Sequence, residues 1–167
     1  MEQAPTRPSI AGMTEVNGLR LAYRGFVTGI AGGYVWAAIA MSLAAIAFGD
    51  PLRPLRPLAT LIAPVAGSSE LAFVLGLGVA QLGGALAGMC FAYFFGRFFT
   101  VRATVAAAGP CFALLVWGVV AAALGTQGLD TGAITAHPIT ILAVIGFGLL
   151  IGAAVPLRGE VERRPVS

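Results

Sequence analysis

Residues 71–96 read LAFVLGLGVAQLGGALAGMCFAYFFG and contain no Asp, Glu, Lys or Arg. A helix needs about 20 mostly apolar residues to cross a hydrocarbon layer about 30 Å thick, because each residue adds about 1.5 Å. Three further runs meet this length and are equally free of charge. In the last of them, His137-Pro138 indicates a helix starting near Pro138, since Pro is favoured in a first turn. The sequence therefore predicts an all-α, four-helix transmembrane bundle with spans at 25–49, 71–96, 103–129 and 138–157.

The overall composition agrees with a membrane protein. Hydrophobic residues make up 58% of the 167 residues and charged residues only 10%, whereas a soluble domain is roughly 25% charged. The expected environment is therefore the lipid bilayer. The net charge of +3 comes without a basic run, so no nucleic-acid partner is expected. Two cysteines are too few for a disulfide framework or a zinc site.

The arginines predict the orientation. Eight of the ten lie before the first span, between the second and third, or after the fourth. Only Arg53 and Arg56 lie on the opposite side. Because cytoplasmic loops carry the excess of arginine, both ends should be cytoplasmic. The expected location is the inner (plasma) membrane, with cytoplasmic tails at 1–24 and 158–167 around a transmembrane domain at 25–157.

Two segments outside the spans have more than one interpretation. In Val16–Arg24, apolar and basic residues recur at four-residue spacing, which fits either an interfacial helix or a solvated tail with snorkelling arginines. In the 51–66 loop, Pro51, Pro54 and Pro57 recur every third residue, which favours polyproline II. We expect that loop to lie on the outer membrane surface, the alternative being a re-entrant segment sheltered by the bundle.

Glycines at four-residue spacing predict close helix packing. Lipid provides no hydrophobic drive between helices, so small residues that let backbones approach become important. The stripes do not distinguish contacts within one chain from contacts between copies. The tentative packing positions are Gly25, Gly29 and Gly33 in the first span, Gly84 and Gly88 in the second, and Gly148 and Gly152 in the fourth.

Candidate chemistry is sparse, and no catalytic, cofactor-binding or metal site is assigned. Gln81 is the one strongly polar side chain deep in a span, and the expected role is an interhelical hydrogen bond, the alternative being a polar path. Asp50, Glu70, Asp130 and His137 approach the outer face, where solvated helix ends are favoured over a divalent cation site. Cys90 and Cys111 are expected to be reduced structural thiols.

Four short motifs resemble those of a group of bacterial four-span integral membrane proteins of unknown function. They are Gly67-Ser68-Ser69, Phe95-Gly96-Arg97, Trp117-Gly118 and Phe147-Gly148, and the resemblance covers roughly residues 25–155. The group has a His directly before the Phe-Gly of the last helix, whereas here His137 precedes Phe147 by ten residues. The resemblance implies the four-span fold and no particular activity.

Two functions are compatible with these observations. Spans without ionisable groups and with packing stripes favour a non-enzymatic accessory or structural component of a membrane assembly. Its partners would be other copies of the chain or a larger membrane complex. The alternative is an oligomeric channel or carrier for a small neutral solute, with Gln81 on its path.

Overall fold

The computed structural model of the chain describes residues 10–63, 68–96, 98, 101–125 and 137–155. Within these ranges all regular secondary structure is helical. The helices are α1 (Ile10–Phe48), α2 (Arg56–Thr60), α3 (Ser69–Phe95), α4 (Arg102–Gly125) and α5 (Pro138–Ala154). The predicted all-α class is therefore confirmed for the part of the chain that is described.

Three of these helices are long and apolar enough to cross a membrane. They are the Gly18–Phe48 part of α1, α3 and α4. The fourth predicted span corresponds to α5, which is apolar but shorter at 17 residues. At 1.5 Å per residue α5 is about 25 Å long, near the lower limit for a spanning helix. Residues 126–129 and 156–157, at the ends of the predicted third and fourth spans, lie outside the described residues.

Local sequence signals explain where the helices start and stop. The Ser68 hydroxyl accepts a hydrogen bond from the Leu71 amide at 3.2 Å and so caps α3. His137 caps α5, which begins at Pro138 as predicted, and its Nδ1 accepts from the Ile139 amide. Helix α1 ends at Phe48, because Gly49 stops it directly before Asp50-Pro51. Gly49 has φ 69°, a left-handed conformation that glycine adopts without strain.

Helix α1 is much longer than its predicted span of 25–49. It begins at Ile10 and continues through Arg20 and Arg24 without a break. The segment Val16–Arg24 is thus part of one continuous helix with the first span. Its 39 residues correspond to about 58 Å, well beyond the thickness of a hydrocarbon layer.

The helices pack in two pairs that are joined through α1 and α5. Helix α1 lies against α3 on one side and α5 on the other, and α5 also packs along α4. By contrast, the backbones of α3 and α4 seldom come close, and these helices meet through the ring of Phe112 on α4, which lies 5.3 Å from that of Phe91 and 5.7 Å from that of Phe95 on α3. Gly25 of α1 faces Gly88 of α3, and Gly32 of α1 faces Phe147 of α5. This arrangement leaves a cleft between α3 and α4.

The 51–62 segment contradicts the polyproline II prediction. Its backbone forms turns and then α2, with the Leu55 amide donating to the Leu52 carbonyl at 3.0 Å and the Ala59 amide to the Leu55 carbonyl at 2.9 Å. Leu55, Leu58 and Ala59 are buried, so these side chains face the interior of the bundle. The leucines turn inward because α3 offers Gly76, whose missing side chain makes room for the Leu55 backbone. The segment therefore closes one end of the bundle from within.

Candidate functional site

The contact between α1 and α3 is made by glycines on both helices. An added Cβ at Gly84 would lie 2.5 Å from the Gly29 carbonyl oxygen, and one at Gly33 would lie 2.8 Å from the Ala80 carbonyl oxygen. The reverse substitution at Gly29 would bring its Cβ onto the Gly84 carbonyl. The predicted packing positions Gly25, Gly29, Gly33, Gly84 and Gly88 all lie on this contact. The glycine stripes of α1 and α3 therefore pack against each other within one chain.

A second glycine contact joins α4 and α5. An added Cβ at Gly148 would lie 2.5 Å from the Pro110 Cα, and one at Gly152 would lie 2.6 Å from the Val105 carbonyl oxygen. Helix α4 continues through Pro110, which cannot donate to the Ala106 carbonyl. Gly152 approaches that carbonyl closely. The two helices therefore meet where the hydrogen-bond ladder of α4 is interrupted.

Between these two pairs lies an apolar cavity of about 130 Å³. It is partly open, and its lining comes from all five helices or the segments next to them. Three of the lining side chains are aromatic. The lining residues are Gly33, Trp36, Leu58, Leu61, Val79, Ala80, Gly83, Gly84, Ala87, Ala113, Val116, Trp117, Val120, Val144 and Phe147.

The cavity lies near the middle of the bundle. Trp36 is about 18 Å from the Phe48 end of α1, at a rise of 1.5 Å per residue. Its ring centroid is 5.7 Å from that of Trp117 on α4, with the planes tilted by 40°. Leu58 and Leu61, which follow the inward turn at Leu55, cover the cavity toward the loop end.

The indole of Trp36 has an unpaired polar atom. Trp36 is 6% exposed, and its Nε1 is enclosed without a hydrogen-bond partner among the described residues. Tyr34, two residues earlier, points the other way and is 56% exposed. The sequence places both aromatic residues within the first span, and only the structure separates them into one inward-facing and one outward-facing side chain.

Gln81 lies at the α1–α3 contact and outside the cavity lining. Its Cα is 3.2 Å from the position that a Cβ of Gly33 would occupy. Its Oε1 and Nε2 are both enclosed and have no hydrogen-bond partner among the described residues. The expected interhelical hydrogen bond is therefore not formed with any described residue. Enclosure of an unpaired amide costs about 1–3 kcal/mol.

This position leads to a stability prediction. Gln81→Leu should raise the free energy of unfolding by about 1–2 kcal/mol, because it removes two unpaired polar atoms and keeps a similar volume. The measurement is thermal unfolding of the purified protein in detergent. Gln81→Met is the matched control, since it is apolar and retains the unbranched shape. A loss of stability in both variants would contradict the prediction and would mean that the amide is bonded in the membrane.

At the loop end, the polar residues bind one another. Asp50 accepts hydrogen bonds from the Leu52 amide at 3.1 Å and from the Arg56 guanidinium at 2.5 Å. Arg53 lies 3.9 Å over the ring of Phe48, and that ring packs edge-on against His137 at 5.0 Å. Within the described ranges, no three His, Cys, Asp or Glu side chains lie together as metal ligands would. Asp130 lies outside those ranges.

The cavity was not identified from the sequence. Its walls are Gly, Ala, Val, Leu and aromatic residues, which are common in every span, and no spacing distinguishes them. The two tryptophans are the one detectable signal, because both lie within spans rather than at the membrane rim. Cys111, by contrast, is exposed on α4 and Cys90 is partly buried, and both are free thiols.

No protein-family model, curated protein or solved structure matches this chain. The resemblance of the four short motifs to bacterial four-span proteins stays a prediction. Function must therefore be inferred from the geometry of the bundle, its closed end and its cavity.

Proposed function

We propose that this chain is a multi-pass protein of the plasma membrane, with four spans and both ends in the cytoplasm. Two features support the fourth span. Helix α5 packs against α4 and α1 and is apolar throughout its length. Moreover, its Gly148 and Gly152 approach the α4 backbone as closely as the glycines of α1 approach α3. A helix packed in this way shares the environment of its neighbours.

The distribution of arginine over the bundle supports the orientation. Helix α5 runs antiparallel to α1, since Gly32 faces Ile151 and Gly146 faces Ile39. The Gly152–Val105 contact then brings the start of α4 to the same end as the Arg20–Arg24 turn of α1. Arg102 at this end donates to the carbonyls of Ala153 and Val155, at 2.9 and 2.7 Å. The opposite end carries Arg53 and Arg56, and Arg56 is paired with Asp50. Three of the described arginines lie at the first end and two at the opposite end, and by the predicted spans eight of the ten arginines in the sequence belong to the first side. The side with the excess of arginine is the one expected in the cytoplasm.

Reporter fusions test this topology. Fusions after residue 10 and after residue 165 should both give the cytoplasmic signal, whereas a fusion inserted at residue 64 should give the signal of the opposite side. If the fusion at residue 165 gave the opposite signal while the first did not, α5 would not span the membrane. The insertion at residue 64 serves as the internal control, because it follows the first span alone.

We further propose that the protein is a non-enzymatic accessory or structural component of a membrane assembly. The observation that supports this most is the apolar interior, which is covered at the loop end of the bundle. Leu55 and Leu58 plug one end of the bundle, and the central cavity is lined by hydrophobic side chains and glycine. A dry apolar constriction resists water and polar solutes. Gln81, the residue expected on a polar path, is enclosed at the α1–α3 contact instead.

The test combines flux and size. Liposomes containing the purified chain should swell no faster than protein-free liposomes in a panel of small neutral solutes. Protein extracted gently from its native membrane should migrate as an assembly larger than the purified chain and contain a second protein in fixed ratio. Swelling that Gly83→Leu abolishes, with a native size equal to that of the purified chain, would instead establish the carrier. Gly83 lines the cavity, and an added Cβ there meets nothing within 4 Å.

A further inference from the structure

The cleft between α3 and α4 leads into the central cavity. Gly83 of α3 lines the cavity and is itself exposed, so the cavity opens beside it. Across the cleft, Val116 and Val120 of α4 line the cavity and are only partly buried. Helices α3 and α4 meet through the rings of Phe91, Phe95 and Phe112, which lie beyond Gly83 toward the connection between the two helices. The opening therefore faces sideways, at the depth of Trp36, rather than toward either end of the bundle.

Water is a poor occupant of this cavity. A buried water molecule needs two to four polar partners, and the lining side chains are aliphatic, aromatic or glycine. Apolar cavities of roughly this size, about 150 Å³, stay dry and take up hydrophobic molecules. A whole helix, at least about 10 Å across with its side chains, is too wide for the space. The occupant must be slender, apolar and present at mid-membrane depth.

We propose that an acyl chain of a bilayer lipid enters between α3 and α4 and fills this cavity, lying against Trp36 and Trp117. Acyl chains are the solvent that surrounds a sideways opening at this depth. The acyl chain fills the space between α3 and α4 that the packing of Phe112 against Phe91 and Phe95 leaves open. This site does not depend on the proposed accessory role, since a carrier or a scaffold would bind the chain in the same way.

The two tryptophans provide a direct reporter. The chain contains only Trp36 and Trp117, and both line the cavity. Trp36 is 6% exposed, so an acyl chain reaches it chiefly through the cavity. In the Trp117→Phe background, emission comes from Trp36 alone. Bromine atoms on an acyl chain quench indole emission at close range.

The Trp117→Phe variant is reconstituted in phosphatidylcholine vesicles whose acyl chains are brominated near the methyl end. Vesicles of unbrominated phosphatidylcholine are the reference. Trp36 should lose most of its emission in brominated lipid. Adding Gly83→Leu should restore most of it, because the leucine side chain occupies the cavity. Gly78→Leu is the matched control and should leave the quenching in place. It is on the same helix and equally free of contacts, but it does not line the cavity.

Two outcomes would overturn the proposal. If Trp36 keeps its emission in brominated lipid, no acyl chain enters the cavity. The cavity would then be a packing defect or would be filled by a second copy of the protein. Equal quenching with and without Gly83→Leu would mean that bromine acts from outside the cavity. Circular dichroism and thermal unfolding of both glycine variants confirm folding, and Gly83→Leu should also melt at a higher temperature than Gly78→Leu in lipid-free detergent.

Discussion

Gly29→Leu should destabilise the bundle by about 3 kcal/mol or more, at the upper end of the cost of overpacking. Its Cβ would fall on the Gly84 carbonyl and lie 3.0 Å from the Ala85 Cα. Both obstacles are backbone atoms, so no flexible side chain can move aside. Relief requires α1 and α3 to separate, which also opens the contacts at Gly25 and Gly33. The measurement is thermal unfolding in detergent, followed by tryptophan emission.

The matched control for this prediction is Gly78→Leu on α3. A Cβ there meets nothing within 4 Å, so the change should not lower stability and should raise it by at most about 1 kcal/mol, the gain in helix propensity over glycine. Gly84→Leu should reproduce the effect of Gly29→Leu from the other side of the contact. If Gly29→Leu melted like Gly78→Leu, α1 and α3 would not touch through these glycines, and the paired arrangement of the bundle would be wrong.

Gly148→Leu should have a comparable effect, about 2–3 kcal/mol, on the α4–α5 pair. Its Cβ would lie 2.5 Å from the Pro110 Cα and 2.7 Å from the Gly109 carbonyl oxygen. Displacement of α4 should also separate Trp117 from Trp36, because those rings meet between α4 and α1. The expected result is a lower melting temperature together with a changed emission spectrum at low temperature.

Gly118→Leu on α4 is the control for the second pair. An added Cβ there meets nothing within 4 Å, and Trp117 is the adjacent residue, so the control also tests whether emission changes arise merely from a new neighbour. A Gly148→Leu protein with parental melting and parental emission would contradict the α4–α5 contact. The α1–α3 pair and the α4–α5 pair are joined mainly through α1 and α5. The Gly29→Leu prediction and the Gly148→Leu prediction can therefore fail independently.

The helices themselves are largely readable from the sequence. Long uncharged apolar runs predict membrane-spanning helices from composition alone. Capping residues can also be recognised from the sequence, because they bind backbone groups only two or three residues away. Ser68 and His137 therefore cap α3 and α5. The exception is the start of α1, which extends back to Ile10. Helix α1 can extend this far because no proline interrupts the chain between Ile10 and Gly25. The change from apolar to polar composition near Gly25 predicts where the helix leaves the membrane, and it does not predict where the helix starts.

The 51–62 segment shows where local pattern fails. Proline at every third residue fits polyproline II when a chain is surrounded by water. Here Leu55 and Leu58 can be buried against α3, and that burial stabilises turns and a short helix over an extended chain. The deciding residue, Gly76, lies 21 positions after Leu55. Its effect depends on how the segment folds back, and the repeat itself contains no information about this.

The sequence by itself determined that the chain belongs in a lipid environment, that it is helical, and that glycines recur every four residues on three helices. These properties depend on composition and on periodicity within a helix. Only the tertiary structure decided that α1 pairs with α3 and α4 with α5, that Gln81 is enclosed rather than on a path, and that Trp36 and Trp117 meet at one cavity. In a bilayer, apolar side chains gain no hydrophobic free energy when they move from lipid contact to helix contact. Partner choice therefore depends on the fit of two backbones, which is a property of two helices together and of neither alone.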